Sequence, residues 1–407
     1  MIRFVLMVIL VTSLGLIGCS GTGDDSNTAD SSPADMAPIL ADAGLAPDAG
    51  SPISLRVVPG SLTYTATQGG STHIFSVTTE GDQKQRLTSE SAAWSFHSVS
   101  PNARYIAAVQ HASQDDLGRP DLSSDGEVWV IDVQASRSYA LSPAECDAGI
   151  GGVSWLNDGM LVFSMACGEA PAALYLADFT DESRDLTRLL KISDHPFPVR
   201  DANAALGTSV VSYVVDSERC IDGVCVTKPQ IWITDSETNE KCQVTDADRE
   251  FISLEGHDVA NRRVGDHSPA FTDQLRGLVF TRNVPIKTPG PSGHHDLLRV
   301  GLNLRAFFDG DIRCEQPGTE ANLSDTLIGD GYPEGLFEHE RFPQPAVGER
   351  APDGAMLFVG RRHTTPQSSV AYVSDLAGSK VAVSHPSEWV VYARWVVSDL
   401  MLTGSRD

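Results

Sequence analysis

Short runs of alternating apolar and polar residues recur along this chain. The run Ser100–Val109 opens with Ser-Pro-Asn-Ala, which is typical of a tight turn, and continues as an alternating strand. A second strand is predicted over Glu127–Asp132 and a third over Ser138–Ser142. The same three-part pattern returns at intervals of roughly 45 to 75 residues, which indicates a structural repeat.

Six such units can be laid out between residues 53 and 407. The five besides the unit of Ser100 have first strands that begin near Ser61, Val153, Ser209, His267 and Ala351. No amphipathic helix of convincing length interrupts them, so the pattern predicts an all-β fold. Residues 391–396 and 400–403 have the pattern of the opening strands of one more unit that does not finish.

These units resemble the TolB-like (WD-type) β-propeller repeat, whose pattern is a turn after Trp, two strands of which the second ends in Asp, and then Leu-Thr. The matching residues are the turns at 100–102, 157–159 and 352–354, Trp94 and Trp155, Asp132, Asp178, Asp235 and Asp375, and the pairs Leu87-Thr88 and Val244-Thr245. The resemblance covers nearly all of residues 53–407 and implies a β-propeller. A β-sandwich or a solenoid with similar turns is the alternative.

Closure of the ring is predicted from the two ends of the repeat region. The resemblance implies about six four-stranded blades, or seven if residues 390–404 and 53–67 divide differently. The strand around Trp395 lacks partners of its own, so we expect it to join N-terminal strands near 72–77 and 85–88 and close the ring. TolB carries an α/β domain before its propeller, whereas residues 1–52 here have no such pattern. The resemblance therefore supports the fold and not a role in the Tol–Pal system.

Residues 1–18 are predicted to be a signal peptide. Arg3 precedes a short apolar run, and Leu16-Ile17-Gly18-Cys19 resembles the lipobox of bacterial lipoproteins. By that resemblance the chain is cleaved before Cys19, which then carries acyl chains. The alternatives are an ordinary signal peptide with an incidental cysteine, or an uncleaved anchor.

Residues 19–52 are predicted to be an acidic, disordered tether behind the acylated cysteine. Ser20 to Pro52 contains six Asp but no Lys, Arg or aromatic residue, so it buries too little apolar surface to fold. Ser rather than Asp at position 20, compared with enterobacterial lipoproteins, favours the outer membrane facing the periplasm. Display on the cell surface stays open.

Six cysteines remain in the predicted propeller, an even number that suggests disulfides in an exported chain. The spacing favours a disulfide between Cys220 and Cys225 and another between Cys146 and Cys167. Cys242 and Cys314 then remain, and we expect them on the outer strands of neighbouring blades. The alternatives are zinc ligation or free thiols. No Cys-x-x-Cys and no suitably spaced His supports zinc, so no metal site is predicted.

The chain carries a net charge of −24, and about −19 remains on residues 53–407 without Arg3 and the tether's six Asp. Such a body is repelled by nucleic acid and by anionic lipid surfaces. No nucleic-acid partner is therefore predicted, and membrane association is expected through the lipid anchor alone. The acidic rim is either solvated surface or a site for a basic partner.

No strong catalytic motif is present, since Gly-x-Ser-x-Gly, His-Glu-x-x-His and the phosphate-binding loop are all missing. Histidines and carboxylates cluster at His257-Asp258, Asp266-His267, His294-His295-Asp296 and Glu338-His339-Glu340. Polysaccharide lyases with similar propeller repeats use channel histidines to hold a metal. We instead expect these clusters to be solvated loop residues.

The resulting prediction is a lipid-anchored binding scaffold of the cell envelope, without a cofactor and without catalytic activity, that engages an unidentified protein or envelope polymer. The first alternative is a lyase-like, carbohydrate-active enzyme with a metal in the propeller channel. The second is a sensor or assembly component in which the propeller spaces other parts.

Overall fold

The structure is a computed structural model, and its described part begins after the predicted tether. It describes residues 60–88, 92–135, 137–149, 151–178, 189–221, 224–245, 265–272, 275–284, 294–310, 313–323, 337–345, 355–362, 369–375 and 380–396. The predicted signal peptide (1–18), Cys19 and the tether (19–52) lie outside these residues, as do His257, Asp258 and the predicted strand 400–403.

The described residues form four hydrogen-bonded sheets of mainly antiparallel strands. The first holds β4 (Ala93–Val99), β5 (Tyr105–His111), β6 (Gly126–Asp132) and β7 (Arg137–Ala140). The second holds β8 (Cys146–Asp147), β9 (Val153–Asn157), β10 (Met160–Cys167), β11 (Ala173–Asp178) and β12 (Leu190–Lys191). The third holds β13 (Val199–Ala204), β14 (Val210–Ile221), β15 (Val224–Asp235) and β16 (Lys241–Gln243).

The fourth sheet has twelve strands in three antiparallel groups of four. The first group is β17 (Asp266–Phe271), β18 (Gly277–Val284), β19 (His294–Gly301) and β20 (Ala321–Asn322). The second is β21 (Phe337–Pro345), β22 (Met356–Arg362), β23 (Ser369–Ser374) and β24 (Lys380–Ala382). The third is β25 (Trp389–Trp395), β1 (Leu62–Gln68), β2 (Ser71–Val77) and β3 (Gln85–Arg86).

Hydrogen bonding therefore gives four sheets among the described residues, where six separate blades were predicted. The twelve-stranded sheet is continuous because single parallel pairings, His295 with His339 and Ser369 with Trp389, join its three groups. Sequence repeats mark groups of strands but do not show whether neighbouring groups share a hydrogen bond.

The groups are arranged around a common axis. Their innermost strands contact one another in a cycle that runs β25, β4, β9, β13, β17, β21 and back to β25. This cycle, with consecutive antiparallel strands leading outward from each member, makes the fold an all-β propeller.

The N- and C-terminal strands join in one group, which confirms the predicted mode of closure. β25 pairs with β1 in antiparallel register, and β1 continues the ladder to β2 and β3. The immediate partner of β25 is thus Leu62–Gln68 rather than the strand at 71–77. β25, the last strand among the described residues, thereby gains the pairing that its apolar sequence requires.

The core lies between neighbouring groups of strands. Val109 and Val128 of the first sheet pack in one cluster with Trp155, Leu161 and Phe163 of the second. The Trp155 indole also donates to the Ser98 carbonyl at 3.1 Å, so the buried ring leaves its polar atom satisfied. Burial of each such side chain contributes about 1.5–3 kcal/mol to folding.

One short helix, Leu304–Phe308, is capped by Asn303, whose side chain accepts a hydrogen bond from the Ala306 amide at 3.2 Å. Phe307, within this helix, is its buried residue. Within the described residues, no helix has both the length and the apolar character needed to cross a bilayer.

Candidate binding site at the axial mouth

A small cavity lies between the innermost strands, next to the start of β9, the third residues of β13 and β17, and the middle of β4 and β25. It has an empty volume of about 260 Å³, open solvent included. Five of the strand groups contribute its lining, which consists of Phe96, Gly152, Asp201, Ala202, Asn203, Ser268, Pro269 and Tyr392. We call this cavity and its lining residues the axial mouth. It combines hydrogen-bonding groups with apolar walls, which is the usual composition of a ligand site.

Bulges in β13 and β17 shape the axial mouth. The pairing register shifts between Arg200 and Asn203 in β13, and between His267 and Ala270 in β17. Asp201 and Ser268 fall within these bulges and adopt positive φ angles of 54° and 52°. Residues with a side chain seldom adopt such angles, and strain of this kind concentrates at functional sites.

The bulges also link three neighbouring groups of strands. The Asp201 amide donates to the Gly151 carbonyl at 3.1 Å, and the Ser268 amide donates to the Asp201 carboxylate at 3.0 Å. Gly152 must be glycine here, since its φ is +92° and a Cβ atom would lie 2.2 Å from the Ala202 nitrogen. Asp201 is therefore bonded to the neighbouring group on each side, at Gly151 and at Ser268.

A cluster of charged side chains around Arg200 adjoins the axial mouth through Asp201. Arg200 donates to Asp216 at 2.8 Å, to Asp201 at 2.9 Å and to Nδ1 of His267 at 2.7 Å. The Arg200 guanidinium thus donates hydrogen bonds to two carboxylates and one imidazole. The second oxygen of Asp216, Oδ1, is buried and has no hydrogen-bond partner in the described part of the chain.

The pKa values of this cluster follow from burial and from the unequal number of charges. Burial raises the pKa of the Asp201 carboxyl, and Arg200 and the Ser268 amide only partly oppose that shift. Burial by itself would lower the pKa of Arg200, but Asp201 and Asp216 outweigh it and raise the pKa. The cluster carries one negative charge in excess when both carboxyls are ionised. A hydrogen-bond donor or a cation that enters the axial mouth would stabilise this excess negative charge.

Tyr392 of β25 forms the opposite wall. Its ring lies edge-on to the rings of Phe96 and His97, with centroids 5.4 Å away in both cases. Burial raises the pKa of the Tyr392 phenol, so it is a neutral group at ordinary pH. Two residues along the strand, Arg394 donates to the Val153 carbonyl at 2.9 Å and to Ser154 Oγ at 2.7 Å. These bonds fix the closing strand against β9.

The three predicted disulfides are present. Cys146–Cys167 links β8 to β10, and Cys220–Cys225 links β14 to β15. Cys242–Cys314 links β16 to the segment before β20, with both residues fully buried. Cys314 follows the short helix and lies on no strand. The prediction of two outer strands is thus met only for Cys242.

The histidine clusters at 266–267, 294–296 and 338–340 lie on strands, so their assignment to loops was wrong, whereas His257-Asp258 lies outside the described residues. His267 is in β17, His295 in β19 and His339 in β21, and His295 pairs with His339. β19 begins at His294 because β18 extends to Val284 and provides pairing that far. His295 and His339 thus lie side by side near the start of β19 and β21, and β17, which carries His267, packs against β21.

Asp266 and Asp296, the carboxylates of these clusters that the structure describes, take part in structural contacts. Arg282 donates to both oxygens of Asp266, at 2.7 and 3.1 Å, and reaches Glu320 at 2.8 Å. Asn322 donates to Asp296 at 3.2 Å.

Among the described residues, three side chains that offer metal-ligand atoms gather at one place, where two of them are joined as the Cys220–Cys225 disulfide. There, Glu218, Cys220 and Cys225 place one ligand atom each within 4.8 Å of one another.

The residues of the axial mouth carried no sequence signal. Arg200, Asp201 and Asn203 make β13 too polar for an alternating pattern, and the fourth predicted unit began only at Ser209. Ser268 was assigned to a strand without any role.

Comparison with solved structures agrees with the fold. TolB from Acinetobacter baumannii superposes with a TM-score of 0.53 at 11% identity, over 83% of this chain and 67% of that one. A putative TolB from Agrobacterium tumefaciens has a TM-score of 0.44 at 11% identity, over 82% of this chain and 97% of that one. The β-propeller domain of the Trilobed protease from Pyrococcus furiosus has a TM-score of 0.41 at 11% identity, over 81% and 94%.

These similarities concern the fold alone, because the identities are low, and the two with TM-scores below 0.5 add no argument. No protein-family model and no curated protein matches the sequence. What the chain does must therefore be argued from its own residues.

Proposed function

We propose that this protein is a lipid-anchored binding scaffold of the bacterial cell envelope, whose partner docks over the axial mouth. The partner would be a protein or an envelope polymer. The predicted lipobox at Cys19 and the tether of residues 19–52 support an anchored propeller.

The observation that carries this proposal is the strained, polar lining of the axial mouth. Asp201 and Ser268 hold unfavourable backbone angles on adjacent innermost strands, and both line the cavity. Such strain persists only where surrounding contacts hold it, and a preorganised site loses little entropy on binding.

The same end of the ring carries long connections that enlarge the available surface. Residues 112–125 connect β5 to β6, and β14 and β15 extend as paired strands to Ile221 and Val224. The 112–125 segment is ordered by Asp115, which accepts from the Leu117 and Arg119 amides at 2.9 Å. Leu117 and Leu122 are 56% and 45% exposed. Both offer apolar surface to a partner at this end of the ring.

The experiment compares two Asp→Asn variants at opposite ends of one group of strands. Asp201→Asn removes the charge of the axial mouth without changing side-chain size, and Asp235→Asn makes the same change at the far end of β15. Immobilised wild type and variants are incubated with envelope extract, and the captured protein or polymer is quantified. We expect Asp201→Asn to weaken capture about tenfold, equal to about 1.4 kcal/mol of binding free energy. Equal capture by all three would refute a role for the mouth.

A lyase-like enzyme with a metal in the channel is the second candidate function. The observation in its favour is the pairing of His295 with His339 beside the strand that bears His267. The test is release of unsaturated sugars from acidic polysaccharides, with and without a chelator. Chelator-sensitive release that disappears in His295→Ala would replace the scaffold by the enzyme.

A further inference from the structure

We propose that the tip of the β14–β15 hairpin is a redox-gated site for a thiophilic metal ion such as Zn²⁺. Cys220 and Cys225 close it as a disulfide when oxidised and bind the ion together with Glu218 when reduced. Neither the fold nor the axial mouth requires this site.

The hairpin places three ligand-bearing residues on one exposed face. Cys220 pairs directly with Cys225, and their Cα atoms are 3.9 Å apart. Glu218 lies two residues before Cys220, so both side chains project from the same face of the strand. Ligand atoms of Glu218, Cys220 and Cys225 lie within 4.8 Å of one another, and all three residues are exposed.

Reduction should leave this arrangement in place. The two strands pair continuously from Val210–Asp235 to Ile221–Val224, so the disulfide is not what holds the cysteines opposite each other. The freed thiols therefore stay close to Glu218. Two thiolates and a carboxylate suit Zn²⁺, which prefers sulfur and nitrogen ligands in tetrahedral sites and leaves one position for water.

The chemistry consists of two balanced steps. A dithiol reductant donates two electrons and two protons, the S–S bond breaks to give two protein thiols, and the reductant becomes a disulfide. Zn²⁺ then replaces the two thiol protons, which are released to solvent, and the Glu218 carboxylate completes the three protein ligands.

Exposure should make this the first of the three disulfides to react. Exchange requires that a nucleophile reach one of the sulfur atoms. Cys220 and Cys225 are exposed, whereas Cys242 and Cys314 are fully buried and Cys146 is 7% exposed. The buried pair serves as an internal reference within the same chain.

The first measurement is a reductant titration of the full-length chain in detergent. A phosphine reductant is added in steps, free thiols are alkylated, and the modified cysteines are located by mass spectrometry. Cys220 and Cys225 should be modified at a reductant concentration at least about tenfold lower than Cys242 and Cys314. Simultaneous modification of all six cysteines would overturn the proposal.

The second measurement is metal binding by the selectively reduced chain. Zn²⁺ alone is the probe, and Co²⁺ substitution reports thiolate ligation by its charge-transfer absorption. One ion per chain should bind after reduction and none before it. Glu218→Gln removes one ligand and should weaken Zn²⁺ binding by about 10–100-fold. Mutation of residues that only hydrogen-bond to metal ligands already has an effect of this size.

Two controls separate this site from incidental binding. Glu237→Gln removes an exposed carboxylate at the other end of the hairpin and should leave affinity unchanged. The double variant Cys220→Ser, Cys225→Ser should bind no Zn²⁺ while keeping the wild-type circular dichroism spectrum. Binding of Zn²⁺ by that double variant at wild-type affinity, or absence of binding by the reduced wild type, would contradict the proposal.

Discussion

Leu62 and Trp395 are direct partners across the junction of the first and last strands described in this chain. Both are buried, at 1% and 5% exposure, and they share one core cluster with Tyr64, Leu357 and Val390. The C-terminal strand thereby contributes to the same core as the N-terminal strands. Closure of the ring makes stability of the propeller depend on both ends of the sequence.

Trp395→Ala should therefore destabilise the whole propeller by about 3–5 kcal/mol, because it opens a cavity in the core of the closing group. Deletion of residues 390–407 should abolish cooperative unfolding. The measurement is urea unfolding followed by circular dichroism, with Leu190→Ala, at a site 57% exposed, as the control. A truncated chain that unfolds like wild type would show that closure is not needed.

Glu388 should be a second determinant of closure. Its buried carboxylate accepts from the Tyr64 hydroxyl at 3.1 Å, forms an ion pair with Lys84, and accepts from the His385 amide at 2.9 Å. Glu388→Ala leaves these donors without their acceptor and should cost about 3 kcal/mol. The free energy of unfolding of Glu388→Ala is compared with that of Glu80→Gln, a change at an exposed carboxylate. Equal stability of the two variants would show that Glu388 is dispensable.

The buried His97 should make stability depend on pH. Burial, together with the nearby charge of Arg394, lowers its pKa from 6.5 to about 3, so the native state keeps the imidazole neutral. The unfolded chain takes up a proton below pH 6.5 and the native state does not. Stability from this residue is therefore complete above pH 6.5 and falls by up to about 1.4 kcal/mol per pH unit as the pH drops towards 3.

The measurement for His97 is the difference in unfolding free energy between wild type and His97→Gln at several pH values from 7.5 to 3.5. Gln can still bond to Thr63 or Thr65, which the imidazole contacts at 2.9 and 2.7 Å. The advantage of wild type should shrink with acidification. A difference that stays constant over this range would contradict the neutral, buried assignment.

The disulfides should contribute unequally to stability. Removal of Cys242–Cys314, which spans 72 residues, should cost about 4 kcal/mol, and removal of Cys220–Cys225, which spans 5, about 2 kcal/mol. Paired Cys→Ser variants measured by denaturant unfolding give this comparison. The mature wild type should show no free thiol when it is denatured without reductant. Two or more reactive thiols per chain would show that the pairing is incomplete.

Cys19 is expected to carry the lipid anchor. A fatty-acid analogue supplied to growing cells should label wild type and leave Cys19→Ser unlabelled, since the acyl chains require the cysteine. Cys220→Ser, at an exposed cysteine of the propeller, is the control and should be labelled like wild type. Equal labelling of Cys19→Ser would exclude acylation at this residue.

Much of the fold could be predicted because its turns and strands have strong local patterns. The turn at Ser100–Asn102 and the strands that became β5, β6, β10 and β11 were anticipated from apolar alternation. β13 was missed, since a bulge interrupts its alternation and places Arg200 and Asp201 where apolar residues would be expected. The extension of β14 and β15 to residues 221 and 224 was also missed, because their outer halves are polar.

The axial mouth could not be predicted because it depends on residues that are distant in sequence. Asp201, Ser268 and Tyr392 meet only after the strands assemble around the axis, and none belongs to a motif. The same holds for the sharing of Arg200 between Asp216 and His267, which depends on how β13 packs against β17. Sequence patterns report the neighbours within one repeat unit far better than those across the ring.

The most direct test of the binding proposal is photo-crosslinking in living cells. A benzophenone amino acid is placed at Leu117, at the end of the ring that bears the axial mouth, or at Glu237, in a turn at the opposite end. Irradiation should give a discrete adduct from position 117 that is lost when Asp201→Asn is added, and none from position 237. Adducts of the same size and yield from both positions, or adducts insensitive to Asp201→Asn, would contradict a partner docked over the axial mouth.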